Sequence, residues 1–379
     1  MLRRLFVLLF SVLIAVPLAA QEAEPIETTF FMTFVPNVQF APVYVALEKG
    51  YFADAGFQVT IEHGDEPLGL DLIAANERQF GIISGEQVII ARANERPVVY
   101  TYAWFQDFPV GVAVTNEAGV PSFAGLAGWR VGIPGRFGAS YIGLHALLSA
   151  NDMTEQDIAL EEIGFNAPEV ICVGAIDAAV VYLNNEPLQI EERAAQGDCG
   201  DVTGLTVFPV SEAVDLVSNG IVTNETMIAE HPDQVMAFNR AFDQGLRDAI
   251  DNPAEAYLLC SGYVENLPLS DDLRAALETA AADQAAFLLE NPDNDLETRA
   301  ERRGALYEQL AEQFTSDELL QFRVLLATIE LWEAESLGYS DPASWEAMQE
   351  TLLEMELIDE PIDLERAYSN AFLPEPVDE

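Results

Sequence analysis

The sequence predicts an α/β fold in two lobes with a helical C-terminal region, and three observations carry that expectation. Short apolar runs alternate with helical periods from Thr28 onward, at the spacing of parallel βα units. The same alternation restarts after residue 112. Beyond residue 226 the chain becomes helical in pattern and acidic. Its 379 residues, half of them hydrophobic, suffice for about two packed domains.

In the first unit, TTFFMTFVPN (28–37) reads as a strand and FAPVYVALEKGYFADAG (40–56) as a helix closed by Gly56. FQVTIEH (57–63) is a second strand, EPLGLDLIAANER (66–78) a helix and QFGIISG (79–85) a third strand. EQVIIARANERP (86–97) is a helix ended by Pro97, and VVYTYAWFQ (98–106) is the fourth strand. In the second unit WRVGIPG (129–135), IALEEIGF (158–165), AIDAAVVYLN (175–184) and LTVFPV (205–210) read as strands. Helices are expected at ASYIGLHALLSAN (139–151), APEVICVG (167–174) and EPLQIEERAAQ (186–196). VDLVSNGIVTNETM (214–227) reads as a strand leading back toward the first lobe. The expected division is 28–112 for the first part of lobe one, 113–213 for lobe two and 214–373 for the helical remainder of lobe one.

Residues 1–20 carry Arg3 and Arg4, an apolar run and then small residues, the layout of a secretory signal peptide whose core is too short for a comfortable membrane span. The expectation is a soluble exported chain. A net charge of −47 argues against nucleic acid or anionic lipid as partners. Lys49 is the single lysine. Export permits oxidation, and of the cysteines Cys172, Cys199 and Cys260 the first two are the nearer pair in sequence, with connectivity left open. Neither CxxC nor a histidine-rich spacing is present, so no zinc site is expected.

Ligands of open α/β sheets sit beyond the carboxyl ends of strands, so those ends supply the candidates. The glycine turn GRFGAS (135–140) enters a helix and would point several backbone N–H groups outward together, a cradle for an oxygen-rich group built from Arg136, Phe137, Gly138, Ala139 and Ser140. Arg136 either adds a charged donor or turns outward to an acidic partner. Glu66 and Glu86 follow strand ends, where solvated or structural roles compete in so acidic a chain. Glu186 is distinct: YLNNEP (182–187) places Asn185, a carboxylate and a helix-starting proline directly after an apolar strand, and that carboxylate can accept from ligand N–H groups. Phe40, Tyr44, Trp104, Phe105, Phe137, Tyr141 and Tyr182 lie near the expected mouth and could sandwich a planar ring, although Tyr44 can instead face the core. Nucleophilic catalysis needs a base beside a serine or cysteine; only His63, His145 and His231 are present, with no GxSxG elbow, so hydrolysis is not expected.

PNVQFAPVYVALEKGYFADAGFQVTIEHG, GRFGASYIGL, GAIDAAVVYLNNEPLQI and DLERAYSNAFL, in that order, together resemble the NMT1/THI5-like substrate-binding proteins. These are extracytoplasmic components of ABC importers for thiamine pyrimidine precursors and related compounds. The resemblance implies a type II periplasmic-binding-protein fold, a heteroaromatic small-molecule ligand held between two lobes, an ABC permease as partner, a periplasmic location, a monomer and no cofactor. It implies that Asn37 and Phe40 line the first strand's mouth, that the glycine turn donates N–H groups and that Glu186 holds an amino or ring N–H edge. Members that bind aminopyrimidines often carry Trp before the first Pro-Asn; Val35 stands there in this chain, a departure from a strict aminopyrimidine binder, while VQFAP with GRFGASYIGL is similar to relatives associated with riboflavin, a larger flat ring system. The superfamily also contains thiamine-pyrimidine synthases, which need a cofactor lysine, a histidine and a cysteine-rich cluster. GIISGEQVII (81–90) holds neither lysine nor histidine, and no such cluster is present.

Overall fold

In the computed structural model, which describes residues 24–292 and 294–374, the chain forms two five-stranded sheets. The predicted signal peptide lies outside the described residues. The first sheet takes β1 (Ile26–Thr33), β2 (Phe57–Gly64), β3 (Phe80–Ser84) and β4 (Val98–Ala103), joined through α1 (Ala41–Glu48), α2 (Tyr51–Asp54), α3 (Glu66–Ala74) and α4 (Gly85–Ala93). The second takes β5 (Val110–Thr115), β6 (Arg130–Ile133), β7 (Ala159–Glu162), β8 (Ala178–Tyr182) and β9 (Leu205–Pro209), with α5 (Gly138–Ala150), α6 (Ala167–Cys172) and α7 (Glu186–Gln196). The chain then returns to the first sheet as β10 (Asn219–Asn224). It ends in helices: α8 (Glu225–Glu230), α9 (Pro232–Asp251), α10 (Pro253–Cys260), α11 (Asp271–Glu290), α12 (Leu296–Ala311), α13 (Ser316–Trp332) and α14 (Pro342–Glu354).

Strand order is β2-β1-β3-β10-β4 in one sheet and β7-β6-β8-β5-β9 in the other. The parallel sheets expected from the βα alternation are thus mixed. β10 runs antiparallel to β3 and β4, and β5 antiparallel to β8 and β9. Each reversed strand follows a crossing between the sheets, which brings the chain in from the opposite end. The returning strand is also shorter than its apolar pattern, occupying only Asn219–Asn224, because residues 214–218 belong to the crossing itself. The helix expected over 40–56 breaks at Gly50, whose φ of 79° ends α1 and redirects the chain into α2.

Two hydrophobic cores cover the first sheet. On one face Phe80 of β3 stacks on Phe238 of α9 with centroids 3.9 Å apart, and Phe30 meets the same ring edge-on. On the other, buried Ile83, Val88 and Tyr100 belong to a core that continues through Trp345 and Met348 into Val112, Val131 and Leu147 of the second lobe. α14 packs against both α4 and α5, and α13 against both the Val38–Phe40 turn and α7, so the C-terminal helices touch both lobes. The terminal segment also covers the edge of β4, through Tyr368 beside Tyr100 and Gly338 beside Ala103, leaving that strand no open ladder. Cys172 and Cys199 form a disulfide; Cys260 is buried and free. Among the described residues, no helix is long and apolar enough to cross a membrane.

Candidate functional site

A cavity of about 290 Å³ lies between the lobes, at the carboxyl ends of β1 and β2 on one side and of β6 and β8 on the other. That volume is at the low end for sites holding small organic ligands. Its position follows from topology, since strand ends from both sheets converge there.

One wall is aromatic. Asn37 accepts the Gln39 N–H at 3.0 Å and so caps the short turn Val38–Phe40, presenting Gln39 and Phe40 to the cavity. Phe40 stacks on Trp104 at 5.6 Å, and Trp104 stacks in turn on Trp332 at 5.8 Å. Trp104 Nε1 is buried with no hydrogen-bond partner, a donor whose desolvation costs about 1–3 kcal/mol until an acceptor reaches it. At the mouth, Phe34 of one lobe meets Phe165 of the other edge-on at 4.8 Å. Phe34 has a φ of 68°, a left-handed conformation that bulky side chains rarely adopt.

The lining is also rich in acceptors. Glu66 opens α3 and is 8% exposed; its Oε1 accepts the Ser84 N–H and the Ser84 hydroxyl, both at 2.6 Å. Glu86, fully buried behind it, also contacts the Ser84 hydroxyl. One hydroxyl hydrogen cannot serve two carboxylates, so with Ser84 donating to Glu66 the second contact is completed by a proton on Glu86. Burial, then the charge of Glu66, pushes the Glu86 carboxyl up to about 8, which agrees with that assignment. Burial also raises Glu66 and Glu186 above the usual carboxylate range. Glu186 Oε2 accepts the Tyr182 N–H at 2.8 Å, tying the start of α7 to the end of β8. The Tyr182 hydroxyl donates to Asn219 Oδ1 at 3.1 Å, from the second sheet to the first. Asn184 makes a second such link, donating to Gln39 Oε1 at 3.0 Å and to Thr328 Oγ1 at 2.7 Å.

The glycine turn lines the cavity as well. Gly138 has a φ of 69°, and a Cβ on it would lie 3.0 Å from Glu66 Oε2, so the Glu66 carboxylate of one lobe rests against the first residue of α5 in the other. Phe137, the cap residue of α5, gives no side-chain bond to the helix start.

Of the residues singled out from sequence, Phe40, Glu66, Trp104, Phe105, Phe137, Gly138, Ala139, Ser140, Tyr182, Asn185 and Glu186 line the cavity. Five do not. Asn37 serves the turn beneath Gln39. Tyr44 is fully buried in the core, stacked on Tyr263 at 4.4 Å, because α1 is packed against α9 and α10. Glu86 sits behind Glu66 rather than on the cavity wall. Arg136 turns outward to Glu155 at 2.5 Å and Glu162 at 3.4 Å, and Tyr141 joins it there with its hydroxyl on Glu155 at 3.2 Å. Neither Glu66 nor Glu86 is solvated, the alternative that the acidic composition left open.

Sequence reading placed Gln39 and His63 at strand ends without assigning them to the site, and did not name Phe34, Phe165 or Asn219. All five line the cavity. Phe34 and Phe165 follow the carboxyl ends of β1 and β7, which was the available signal; Asn219 opens the reversed strand β10, and only the topology brings that end to the cavity. His63 Nδ1 bonds the Phe34 carbonyl at 3.1 Å, and burial lowers its pKa, so the imidazole is neutral.

Comparison with known proteins agrees with this architecture. The family profile described as NMT1/THI5 like matches residues 37–256, more than half of the chain. A riboflavin-binding protein, RibY, of Chloroflexus aurantiacus is 28% identical over 94% of this chain and 89% of its own. A 4-amino-5-hydroxymethyl-2-methylpyrimidine phosphate synthase of Uromyces fabae is also 28% identical, over 54% of this chain and 61% of its own. Among solved structures, the periplasmic aliphatic sulphonate binding protein SsuA of Escherichia coli superposes with a TM-score of 0.53 at 12% identity, covering 80% of this chain and 99% of that one. The fold is the two-lobed periplasmic-binding-protein fold, and the chain belongs to the NMT1/THI5-like family.

Proposed function

We propose that this protein is the extracytoplasmic substrate-binding component of an ABC importer, holding a planar nitrogen heterocycle between its lobes and releasing it unchanged. In this reading one lobe is built on the first sheet and the C-terminal helices and the other on the second sheet, with the boundary expected at 112 moved back to the start of β5 at Val110, and a single copy of the chain docks on a membrane permease. The observation that carries it is the cavity's composition: aromatic side chains, Phe40 stacked on Trp104 among them, line one cavity together with carboxylate and amide acceptors, and both lobes contribute. A flat ring packs against the aromatic residues and donates ring or amino N–H groups to the acceptors. The unpartnered Trp104 Nε1 offers a donor to a ring carbonyl. A ligand touching both lobes stabilises the closed arrangement through contacts the open one lacks.

Riboflavin is the first choice of ligand, supported by the RibY relative's coverage of nearly the whole chain and by Val35 in place of Trp. A thiamine pyrimidine precursor is the alternative. The synthase reading is weaker on this chain's own residues. Those enzymes hold a cofactor through a lysine, and the single lysine, Lys49, stands at the end of α1 in salt bridges to Asp248 at 2.8 Å and Glu255 at 2.7 Å, outside the cavity lining. The residues present do not fit that group.

A thermal-shift screen of riboflavin, hydroxymethylpyrimidine, formylaminopyrimidine, thiamine and an aliphatic sulfonate tests the proposal. Ligand at about 100 Kd adds about 2.7 kcal/mol of stability. Stabilisation by riboflavin or a pyrimidine supports it; stabilisation by the sulfonate alone contradicts it.

A further inference from the structure

Carboxylates dominate the charge of the cavity wall. Asp65, Glu66 and Glu186 line it, Glu86 lies directly behind, and among the described residues no lysine or arginine joins them; the one imidazole, His63, is neutral. The start of α5 is where this fold would otherwise receive an anion, because a glycine turn and the uncapped first residues of a 13-residue helix line the cleft. A carboxylate of the chain itself lies beside that place. Glu66 is held by the two Ser84 donors, and its second oxygen rests against Gly138. Arg136, the cation next to the turn, is drawn away by Glu155 and Glu162.

We infer that the cleft selects the uncharged form of its heterocycle and rejects the phosphorylated form, with Glu66 as the residue that sets this preference. The inference rests on the heterocycle reading above and adds the ligand's charge. A phosphate brought to the glycine turn displaces no solvent counter-ion there; it meets a carboxylate in a partly buried site, where like charges repel far more strongly than in water. A hydroxyl in the same position donates to Glu66 Oε2 and accepts from the helix start, satisfying both.

The test is a titration of the purified chain with two matched pairs: riboflavin and flavin mononucleotide, then 4-amino-5-hydroxymethyl-2-methylpyrimidine and its phosphate ester. The uncharged member of the pair that binds is expected to bind at least about 100-fold more tightly, and Glu66→Gln is expected to reduce that ratio to about tenfold or less. Equal or tighter binding of the phosphorylated member overturns the inference while the heterocycle reading stands. Binding by neither pair overturns both. An unchanged ratio in a folded Glu66→Gln variant removes Glu66 from the role, and the wild-type ratio stands as a test even where the variant does not fold.

Discussion

Glu66 Oε1 accepts both the N–H and the hydroxyl of Ser84, each at 2.6 Å. With the Ser84 hydroxyl donating to Glu66, its contact with Glu86 calls for a proton on Glu86, and the two carboxyls titrate as a coupled pair beside the cleft.

A pH dependence of stability follows. Glu86 is raised from an ordinary 4.5 to about 8 in the folded chain, first by burial and then by Glu66. The folded state therefore holds a proton that the unfolded state releases between those values. Its contribution is fully present below pH 4.5 and is lost as pH rises to about 8. Glu86→Gln removes that titration. The unfolding free energy of wild type is expected to fall from pH 5 to pH 8 by more than that of the variant, a difference on the order of a few kcal/mol, read from denaturant unfolding at each pH. Parallel pH profiles for the two proteins would show that Glu86 does not carry the proton.

Glu186→Gln is expected to weaken ligand binding by about tenfold or more, the loss of one charge-assisted hydrogen bond. The empty protein should melt at nearly the same temperature, because the glutamine carbonyl can still accept the Tyr182 N–H now bound at 2.8 Å. Calorimetric titration alongside thermal melting separates the two effects, and equal affinity would take Glu186 out of the site.

Arg136→Ala is expected to leave affinity unchanged. Its guanidinium is engaged by Glu155 and Glu162 on the outer surface, and loss of such exposed pairs costs about 1 kcal/mol or less. A marked drop in affinity would place Arg136 over the cleft in the bound form.

Reducing the Cys172–Cys199 disulfide, which closes a sequence separation of 27 residues, is expected to lower stability by about 3 kcal/mol. Melting with and without a reductant measures it, and the Cys199→Ser variant should reproduce the reduced protein.

Much of the cleft was legible because strand ends can be found from hydrophobic pattern, and topology gathers strand ends at one place. Phe40, Trp104, the Phe137–Ser140 turn, Tyr182 and Glu186 were found that way, and all line the cavity. What failed depended on contacts between distant segments. Tyr44 sits on a helix buried on several sides, so its spacing could not say which neighbour it meets. Arg136 was decided by Glu155 and Glu162, which approach it from other elements. Glu86 looked like one carboxylate among many, and only the fold buries it against Ser84. The reversal of β5 and β10 was hidden for the same reason: apolar pattern marks a strand but carries no direction.

The most direct measurement is native mass spectrometry of the purified chain incubated with riboflavin and with 4-amino-5-hydroxymethyl-2-methylpyrimidine. The account predicts a one-to-one complex with at least one of them, from which the compound is recovered at its original mass. Recovery of a chemically altered compound, or failure to retain either ring, would contradict it.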